Sequence, residues 1–438
     1  MNDNKTYINA FVLVTSLFFT WGFLTVLVDS PISRFREIFT LSYFESGLVQ
    51  FAFFGAYFLL SIPAGFILTR IGYQKGIILG LITMAIGCFL FYPAASFRTF
   101  GIFMLGYFVL AGGMTILQVA ANPYVAALGS EETSSSRLIL SQAFNSLGTA
   151  LAPSVGAIYF LSDKILSKEE IELLDLESRE IYYLSEASAV QGPFIFFGCF
   201  LLAIATVFFF IKLPSLMPKK ESGTYLDAIN HKNLIYGVLG IFFYVGAEVT
   251  VGSYLVNYFL DMNLVDSIKN NSIMNSIATF FKHDIFVLLD NGDYKYSNKA
   301  VFGLFVTFYW SGAMVGRFIG SYLTKIFQAG RVLSFFALMA IFLIFLSAIS
   351  NGLISMWSIL AIGLFNSIMF PTIFTLSLKG LGNLKPKGSG LLCTGIVGGA
   401  IIPPLYGLLT DFMGFKFSLI VLSLCYLYIA NFGKINSN

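Results

Sequence analysis

The most informative shortage in this 438-residue chain is charge. Only 11% of its residues are Asp, Glu, Lys or Arg, whereas an average soluble domain has about 25%. Hydrophobic residues make up 57% and the mean hydropathy is +0.81, which leaves too little polar surface for a water-soluble fold. The net charge of +3 is too small to indicate a nucleic-acid partner. The composition therefore indicates a protein embedded in a lipid bilayer.

Histidine and cysteine are also scarce, with two and four residues respectively. His231 and His283 fall in polar connecting segments, while the cysteines lie far apart inside apolar runs and show no metal-ligand spacing. We therefore expect no metal site, no cofactor and no disulfide. The shortage also argues against a metal-dependent intramembrane enzyme.

What the chain has is about a dozen apolar runs of about 20 residues, each long enough to cross the ~30 Å hydrocarbon core as a helix. The first run is too long for a signal peptide and has no small-residue cleavage site. We predict an all-α membrane protein with twelve transmembrane helices. The predicted spans lie near residues 9–29, 43–68, 76–95, 100–124, 137–161, 191–212, 233–260, 300–324, 332–350, 353–377, 388–409 and 415–433.

Lysine and arginine are concentrated in the short loops on one side of these spans, and both termini lie on that side. By the positive-inside rule that side is the cytoplasm. We expect a multi-pass protein of the bacterial inner (plasma) membrane with both termini cytoplasmic. Two longer segments then lie outside. The acidic segment 162–190 is expected to form one or two short amphipathic helices, and the Asn-rich segment 261–299 to be a loop insertion.

The stretch 213–232 contains two prolines and a basic pair, and it divides the spans into two sets of six. Three patterns recur across it in the same order and at offsets of about 250 residues, which indicates an internal repeat. They are GFILTRI at 65–71 and GSYLTKI at 320–326, PSVG at 153–156 and PLYG at 404–407, and Pro123 and Pro371.

Parallel repeats of six spans are the plan of the major facilitator fold. We predict two six-helix bundles, residues 1–212 and 233–438, related by pseudo-twofold symmetry and joined by a cytoplasmic linker at 213–232. The protein is expected to be a monomer.

The few polar residues inside the spans of the first bundle line up on helix faces. Three stripes share this property: Trp21, Thr25 and Asp29 on the first span, Thr115, Gln118 and Asn122 on the fourth, and Gln142 and Asn145 on the fifth. Amides that faced lipid would leave several donors and acceptors unsatisfied. The stripes are therefore expected to face the interior of the bundle.

Two interpretations of these stripes remain open. The amides could be hydrogen-bonding contacts between helices, which contribute about 0.6–2 kcal/mol each. They could instead bind a neutral polyol, because such a ligand needs bidentate amides and an aromatic ring for its C–H face. Gln118, Asn122, Gln142, Asn145 and Trp21 supply those groups. A charged substrate would need a buried cation, and the spans of this half contain none, so we favour a sugar site.

The second bundle contributes Glu248, Asn257 and Asn366 to the candidate site. Glu248 and Asn257 are nine residues apart on one predicted helix, so they face opposite ways unless the helix breaks, for instance at Gly252. Arg317 is interpreted as an intracellular gate or a structural ion pair. We assign the same kind of role to the basic residues of the two repeated motifs, Arg70 and Lys325.

Four longer stretches resemble the fucose permease and glucose/galactose transporter family, a branch of the major facilitator superfamily. They are QVAANPYVAALG (118–129), SRLILSQAFNSLGTALAP (136–153), FYVGAEVTVGSYLVNYF (243–259) and FNSIMFPTIFTLSLKGLG (365–382). The similarity runs from Phe11 to the C-terminus apart from the two outer segments. It implies twelve helices, alternating access, and symport of a monosaccharide with H⁺ or Na⁺.

The resemblance also implies roles for single residues. Asp29 matches the first-helix carboxylate that carries the proton in fucose permeases. Gln118 stands where fucose permeases have a sugar-contacting glutamate, and Glu248 stands where they have a glutamine. Both differences resemble the glucose/galactose branch, and they make Glu248 a second candidate for cation coupling. Val28 departs from the family, whose members commonly have Asn before the carboxylate.

The expected function is therefore import of a glucose-, galactose- or fucose-like sugar across the lipid bilayer, coupled to H⁺ or Na⁺. One alternative is transport of another small solute, such as an amino sugar, by the same fold. A more remote alternative is a polytopic sensor or intramembrane enzyme. That class would need a soluble signalling domain or a catalytic His/Asp/Ser constellation, and the sequence has neither.

Overall fold

We describe the protein from a computed structural model. It describes residues 2–29, 43–160, 171, 173–216, 223–280, 286–288, 294–296 and 298–437. The side chains of residues 2–5, 27–29, 43–47, 154–160, 186–190, 286–288, 294–296 and 299–300 lie outside the description. The chain is overwhelmingly helical, because helices satisfy every backbone hydrogen bond inside apolar surroundings.

The helices of the first repeat and the linker are α1 (Asn2–Asp29), α2 (Tyr43–Ser96), α3 (Phe100–Ala127), α4 (Ser134–Phe160), α5 (Leu176–Phe210) and α6 (Tyr225–Ile229). A short 3₁₀ helix, Glu131–Thr133, lies between α3 and α4.

The second repeat contains α7 (Lys232–Asp261), α8 (Val265–Asn270), α9 (Ser272–Phe280), α10 (Asn298–Ile326), α11 (Ala329–Ile349), α12 (Gly352–Asn366), α13 (Met369–Leu378), α14 (Lys385–Thr394) and α15 (Gly398–Ile435). Two 3₁₀ turns, Gly382–Leu384 and Gly395–Val397, flank α14.

Among the described residues, nine helical segments are long and apolar enough to cross a membrane. Two of them, Leu48–Ser96 and Gly382–Ile435, have 49 and 54 residues, about twice what one crossing needs. Each is interrupted by a glycine, Gly72 with φ 83° and Gly414 with φ 79°, a conformation that residues with a Cβ rarely adopt. With α4 added, this pattern is consistent with twelve spans.

The chain divides into two compact units. Unit 1 comprises Met1–Val238 together with Ser377–Val397, and unit 2 comprises Leu239–Leu376 together with Gly398–Asn438. The segment Ser377–Val397 thus belongs to the second repeat in sequence but packs within unit 1.

Close contacts hold α14 in unit 1. The Ser389 hydroxyl donates to the carbonyl of Val119 on α3 at 2.8 Å. A Cβ placed on Gly390 would lie 2.6 Å from the carbonyl oxygen of Ser61 on α2. Only a glycine allows the two helices to approach this closely.

The linker helix α6 also docks on unit 1. Thr224 and Asp227 form a capping box at its first turn. The hydroxyl of Tyr225 then donates to the carbonyl of Ile62 at 2.5 Å, and Lys387 donates to the carbonyl of Gly223 at 2.5 Å. Hydrogen bonds from Thr224 lower the pKa of the Asp227 carboxyl.

Where they are described, segments 162–190 and 261–299 differ from the sequence-based expectation. The acidic segment is not a separate pair of helices where it is described, because α5 begins at Leu176 and continues unbroken into the membrane span. Segment 261–299 contains α8, α9 and two short antiparallel strands, β1 (Phe286–Leu288) and β2 (Tyr294–Tyr296), with Phe286 opposite Tyr296. An Asn-Gly pair lies between these strands in the sequence, and that pair is a strong hairpin signal.

Candidate functional site

In unit 1, helices α1 and α4 pack against each other along the predicted polar stripes. The hydroxyls of Thr15 and Ser141 lie 2.8 Å apart and are buried. Further along, a Cβ on Gly148 would lie 2.3 Å from the carbonyl oxygen of Phe19. The glycine therefore lets the backbones come close enough for polar side chains of one helix to reach the other.

Asn145 uses this close approach directly. Its side-chain amide donates to the carbonyl of Phe18 at 2.9 Å, beside Gly22. This is the interhelical contact that the sequence left open as one of two interpretations. Gln142, one turn earlier, is 6% exposed and is also buried at this interface.

Trp21 lies deep in the same region. It is 7% exposed, and its ring centroid is 5.6 Å from that of Phe18. The Thr25 hydroxyl donates to the Trp21 carbonyl at 2.8 Å, back along the helix. The ring of Trp21 is thus mostly covered by protein.

Helix α3 carries the polar groups with unmet hydrogen-bonding capacity. Asn122 is fully buried, and neither its Nδ2 nor its Oδ1 has a hydrogen-bond partner in the part of the chain that the structure describes. One turn before it, the buried Oε1 of Gln118 is also unpartnered. Thr115, on the same stripe, donates to the carbonyl of Ala111. Since buried polar atoms are nearly always paired, Gln118 and Asn122 are the side chains of α3 best placed to receive a polar ligand.

The side chain of Asp29 lies outside the described residues. The structure places its backbone at the last position of α1. Its coupling role therefore stays a prediction.

In unit 2, the carboxylate of Glu248 lies in a polar cluster contributed by several helices. Tyr244, one turn earlier on α7, and Arg317 on α10 both interact electrostatically with that carboxylate. The Tyr309 hydroxyl of α10 donates to the Glu248 carbonyl at 3.5 Å. Glu248 itself is neither fully buried nor fully exposed.

Asn366 completes this cluster. It is fully buried, and its amide donates to the hydroxyl of Tyr309 at 2.7 Å. The hydroxyl of Tyr426 on α15 also interacts with Asn366. Arg317 is anchored on the other side, because its Nε donates to the carbonyl of Ser367 at 3.2 Å.

The structure separates Asn257 from this cluster. Helix α7 runs unbroken from Lys232 to Asp261, so the break considered at Gly252 does not occur. Asn257 is exposed on the face opposite Glu248. Gly252 has a different role in packing, since a Cβ there would lie 2.8 Å from Cζ2 of Trp310.

The basic residues of the two repeated motifs lie apart from both polar groups. The guanidinium of Arg70 sits 4.5 Å above the ring centroid of Phe66, on the same helix. Lys325 is exposed near the end of α10. A structural or gating role for these two residues remains a prediction.

Sequence reasoning missed the aromatic members of the unit 2 cluster. Tyr244, Tyr309 and Tyr426 are each fully buried or nearly so. With 22 tyrosines in the chain, residue type alone could not single them out. Tyr244 could have been found from its position four residues before Glu248, on the same helix face.

Comparisons with known proteins agree with this architecture. Residues 6–403 match the family described as the Major Facilitator Superfamily. The glucose/galactose transporter of Brucella abortus (strain 2308) is 43% identical over 443 residues, which cover 100% of this chain and 96% of that protein. The L-fucose-proton symporter of Escherichia coli (strain K12) is 31% identical over 447 residues, which cover 99% and 94%.

A solved structure extends the likeness to three dimensions. The crystal structure of the major facilitator superfamily transporter FucP, in the outward conformation, superposes with a TM-score of 0.86 at 30% identity and covers 99% of this chain and 100% of that one. This match confirms the predicted fold, and the two relatives confirm the resemblance drawn from the four sequence stretches. The chain is thus a multi-pass membrane protein that belongs to the Major Facilitator Superfamily.

Proposed function

We propose that this protein imports a monosaccharide of the glucose/galactose type by symport with a cation, through alternating access. The proposal is supported by relatives that are named as a glucose/galactose transporter and an L-fucose-proton symporter and that match along nearly the whole chain. The protein spans the bacterial inner membrane several times, and both of its termini lie in the cytoplasm. It acts as a monomer.

The observation that carries the substrate class is a group of three buried amide atoms on α3 that have no hydrogen-bond partner among the described residues. They are the Nδ2 and Oδ1 of the fully buried Asn122 and the Oε1 of Gln118. Each buried unpaired polar group costs about 1–3 kcal/mol. A ligand that offers both donors and acceptors, as sugar hydroxyls do, recovers that energy. A hydrocarbon ligand would not.

The guanidinium of Arg137 already has backbone acceptors as partners. Arg137, near the start of α4, donates to the carbonyls of Val125 at 3.3 Å, Ala126 at 2.5 Å and Ser130 at 2.8 Å. Its donors therefore tie α4 to the end of α3. A neutral polyol remains the substrate that fits the amides of Gln118, Asn122, Gln142 and Asn145.

Coupling is assigned to Asp29 at the end of α1, with Glu248 on α7 as the second candidate. A carboxylate changes charge when it moves between a buried and a water-exposed setting, because burial disfavours its charged form. Glu248 is partly accessible and faces a guanidinium, that of Arg317. Its surroundings thus contain a counter-charge for the ionised form.

Uptake into proteoliposomes tests the function. Labelled glucose, galactose, fucose, an amino sugar and an amino acid are offered separately, with a pH gradient or a Na⁺ gradient imposed in turn. Accumulation of a neutral hexose under one gradient is expected. Accumulation of the amino sugar or the amino acid alone would replace the proposed substrate, and no accumulation of any solute would contradict the proposal.

A further inference from the structure

Trp310 is an exposed tryptophan of unit 2 that has no role in the candidate site described above. It is 48% exposed, whereas Trp21 is 7% exposed. Tryptophans in membrane proteins commonly lie at the membrane interfaces. Trp310 instead lies 12 residues after the first residue of α10 and 16 residues before its last residue. It therefore lies near the middle of the span, where an interfacial anchor has no purpose.

The face of α10 that carries Trp310 is a polar one. Arg317 lies seven residues further along, almost in line with Trp310 around the helix. A guanidinium at this depth is too costly to face lipid. Thr307, one turn before Trp310 on the same side of the helix, is exposed. Trp310 therefore lies on a side of α10 that also carries polar side chains.

Helix α7 has a glycine at the point where this ring contacts it. Gly252 lies directly against the indole, since a Cβ there would come within 2.8 Å of Cζ2 and 3.5 Å of Cη2 of Trp310. On the other edge the ring packs on Tyr309, with centroids 5.0 Å apart and planes at 77°. The indole is thus held from two sides and keeps about half of its surface free.

Glu248 lies one turn before Gly252 on the same face of α7. The two helices therefore present, side by side, an aromatic ring and a carboxylate that is partly accessible. A carboxylate accepts hydrogen bonds from two neighbouring hydroxyls. An indole offers an apolar face to the C–H groups of a pyranose ring.

We propose that Trp310, positioned by Gly252, is a sugar-stacking residue of unit 2 that works beside Glu248. This inference rests on the proposed function, because it names a further contact for the same substrate. It also predicts that galactose binding depends on the indole of Trp310 more than glucose binding does. The reason is that galactose carries three neighbouring C–H groups on one face of its ring.

The test measures sugar binding to the full-length protein in detergent, with uptake in proteoliposomes beside it. Trp310→Ala is expected to weaken galactose binding about tenfold, and Trp310→Phe about threefold, because a smaller ring keeps part of the contact. Gly252→Ala keeps the indole but displaces it, so it should also weaken binding. Trp357→Phe is the matched control, since Trp357 packs only among Phe305 and Phe308 in the described contacts.

A second readout is the intrinsic tryptophan fluorescence of the protein. Saturating galactose is expected to alter the intrinsic tryptophan fluorescence of the wild type and of Trp357→Phe, and to alter that of Trp310→Phe much less. If the wild type binds and accumulates sugar while Trp310→Ala and Gly252→Ala keep its affinity, the inference is wrong and the proposed function stands. If the wild type itself neither binds nor accumulates a sugar, the proposed function fails and the inference fails with it.

Discussion

The amide of Asn366 donates to the hydroxyl of Tyr309 over 2.7 Å, in a part of unit 2 where both side chains are fully buried. The same hydroxyl reaches the backbone carbonyl of Glu248 at 3.5 Å. One phenol thus connects α7, α10 and α12 next to the candidate coupling carboxylate. The connection helps to fix the position of the helix segment that carries Glu248.

Removing this hydroxyl is expected to destabilise unit 2. Tyr309→Phe leaves the Asn366 amide without its acceptor, and a buried unpaired donor costs about 1–3 kcal/mol. The apparent Tm of the detergent-solubilised protein should fall. Tyr322→Phe is the matched control, because Tyr322 lies on the same helix with 65% of its surface exposed and should melt like the wild type. Equal melting of the two variants would show that the hydrogen bond contributes nothing.

Asn122 and Asn366 make a sharper comparison, because both are fully buried but only the Nδ2 of Asn366 has a hydrogen-bond partner among the described residues. Asn122 has no such partner within the described ranges, so Asn122→Leu is expected to preserve or raise the apparent Tm in the absence of sugar. The same change should weaken sugar binding by about 1–3 kcal/mol, since it removes a donor and an acceptor. Asn366→Leu should instead lower the Tm. A Tm loss at Asn122 with unchanged sugar affinity would contradict the binding role.

Asn145 is expected to behave differently from Asn122. Its amide already donates to the Phe18 carbonyl at 2.9 Å. Asn145→Ala should therefore lower the free energy of unfolding by about 1 kcal/mol through the lost α1–α4 contact, with a smaller effect on sugar affinity than Asn122→Leu. Thermal unfolding and sugar titration of the two variants in parallel measure both quantities. A large loss of affinity with unchanged stability would assign Asn145 to the sugar and not to the interface.

Much of this architecture could be predicted from the sequence, because the bilayer imposes a simple rule. Apolar runs of the right length become helices, so the spans and the repeat were visible in the residues alone. The helix break that would have brought Glu248 and Asn257 together does not occur. A single glycine does not interrupt an apolar helix when a neighbouring ring fills the space beside it. Gly252 is covered by Trp310 in this way.

The hydrogen-bond partners of single side chains could not be predicted from the sequence, for a different reason. Whether Asn145 or Asn122 carries a free amide depends on which helix lies opposite each of them, and helical periodicity gives the face but not the neighbour. The placement of α14 within unit 1 was equally hidden, because it depends on glycines that meet across more than 300 residues, Gly65 and Gly390. The tyrosines around Glu248 lacked any distinguishing pattern.

The contact between α2 and α14 leads to a prediction about glycine. A Cβ on Gly390 would lie 2.6 Å from the Ser61 carbonyl oxygen, and backbone cannot move aside as a flexible side chain does. Gly390→Ala is expected to cost about 1–3 kcal/mol and to lower the Tm. Gly55→Ala serves as the control, because nothing lies within 4 Å of a Cβ at that position of α2. Gly55→Ala should be neutral or stabilising, since alanine favours the helix. If both variants melt alike, the close approach is not required.

The final prediction separates the two candidate coupling groups. Asp29→Asn keeps the size of the side chain but cannot ionise, so it should abolish uphill uptake while leaving sugar binding and counterflow largely intact. Glu248→Gln should keep accumulation and change sugar affinity and its dependence on pH, because Glu248 faces Arg317 and its charge biases whichever state brings it close to the substrate.

Uptake, counterflow and binding are measured for both variants at several pH values and with Na⁺ replaced by K⁺. If Asp29→Asn still concentrates sugar and Glu248→Gln does not, the carrier is Glu248. If Glu248→Gln matches the wild type in affinity, pH dependence and Na⁺ dependence, its carboxylate has only a structural role in the cluster with Tyr244 and Arg317.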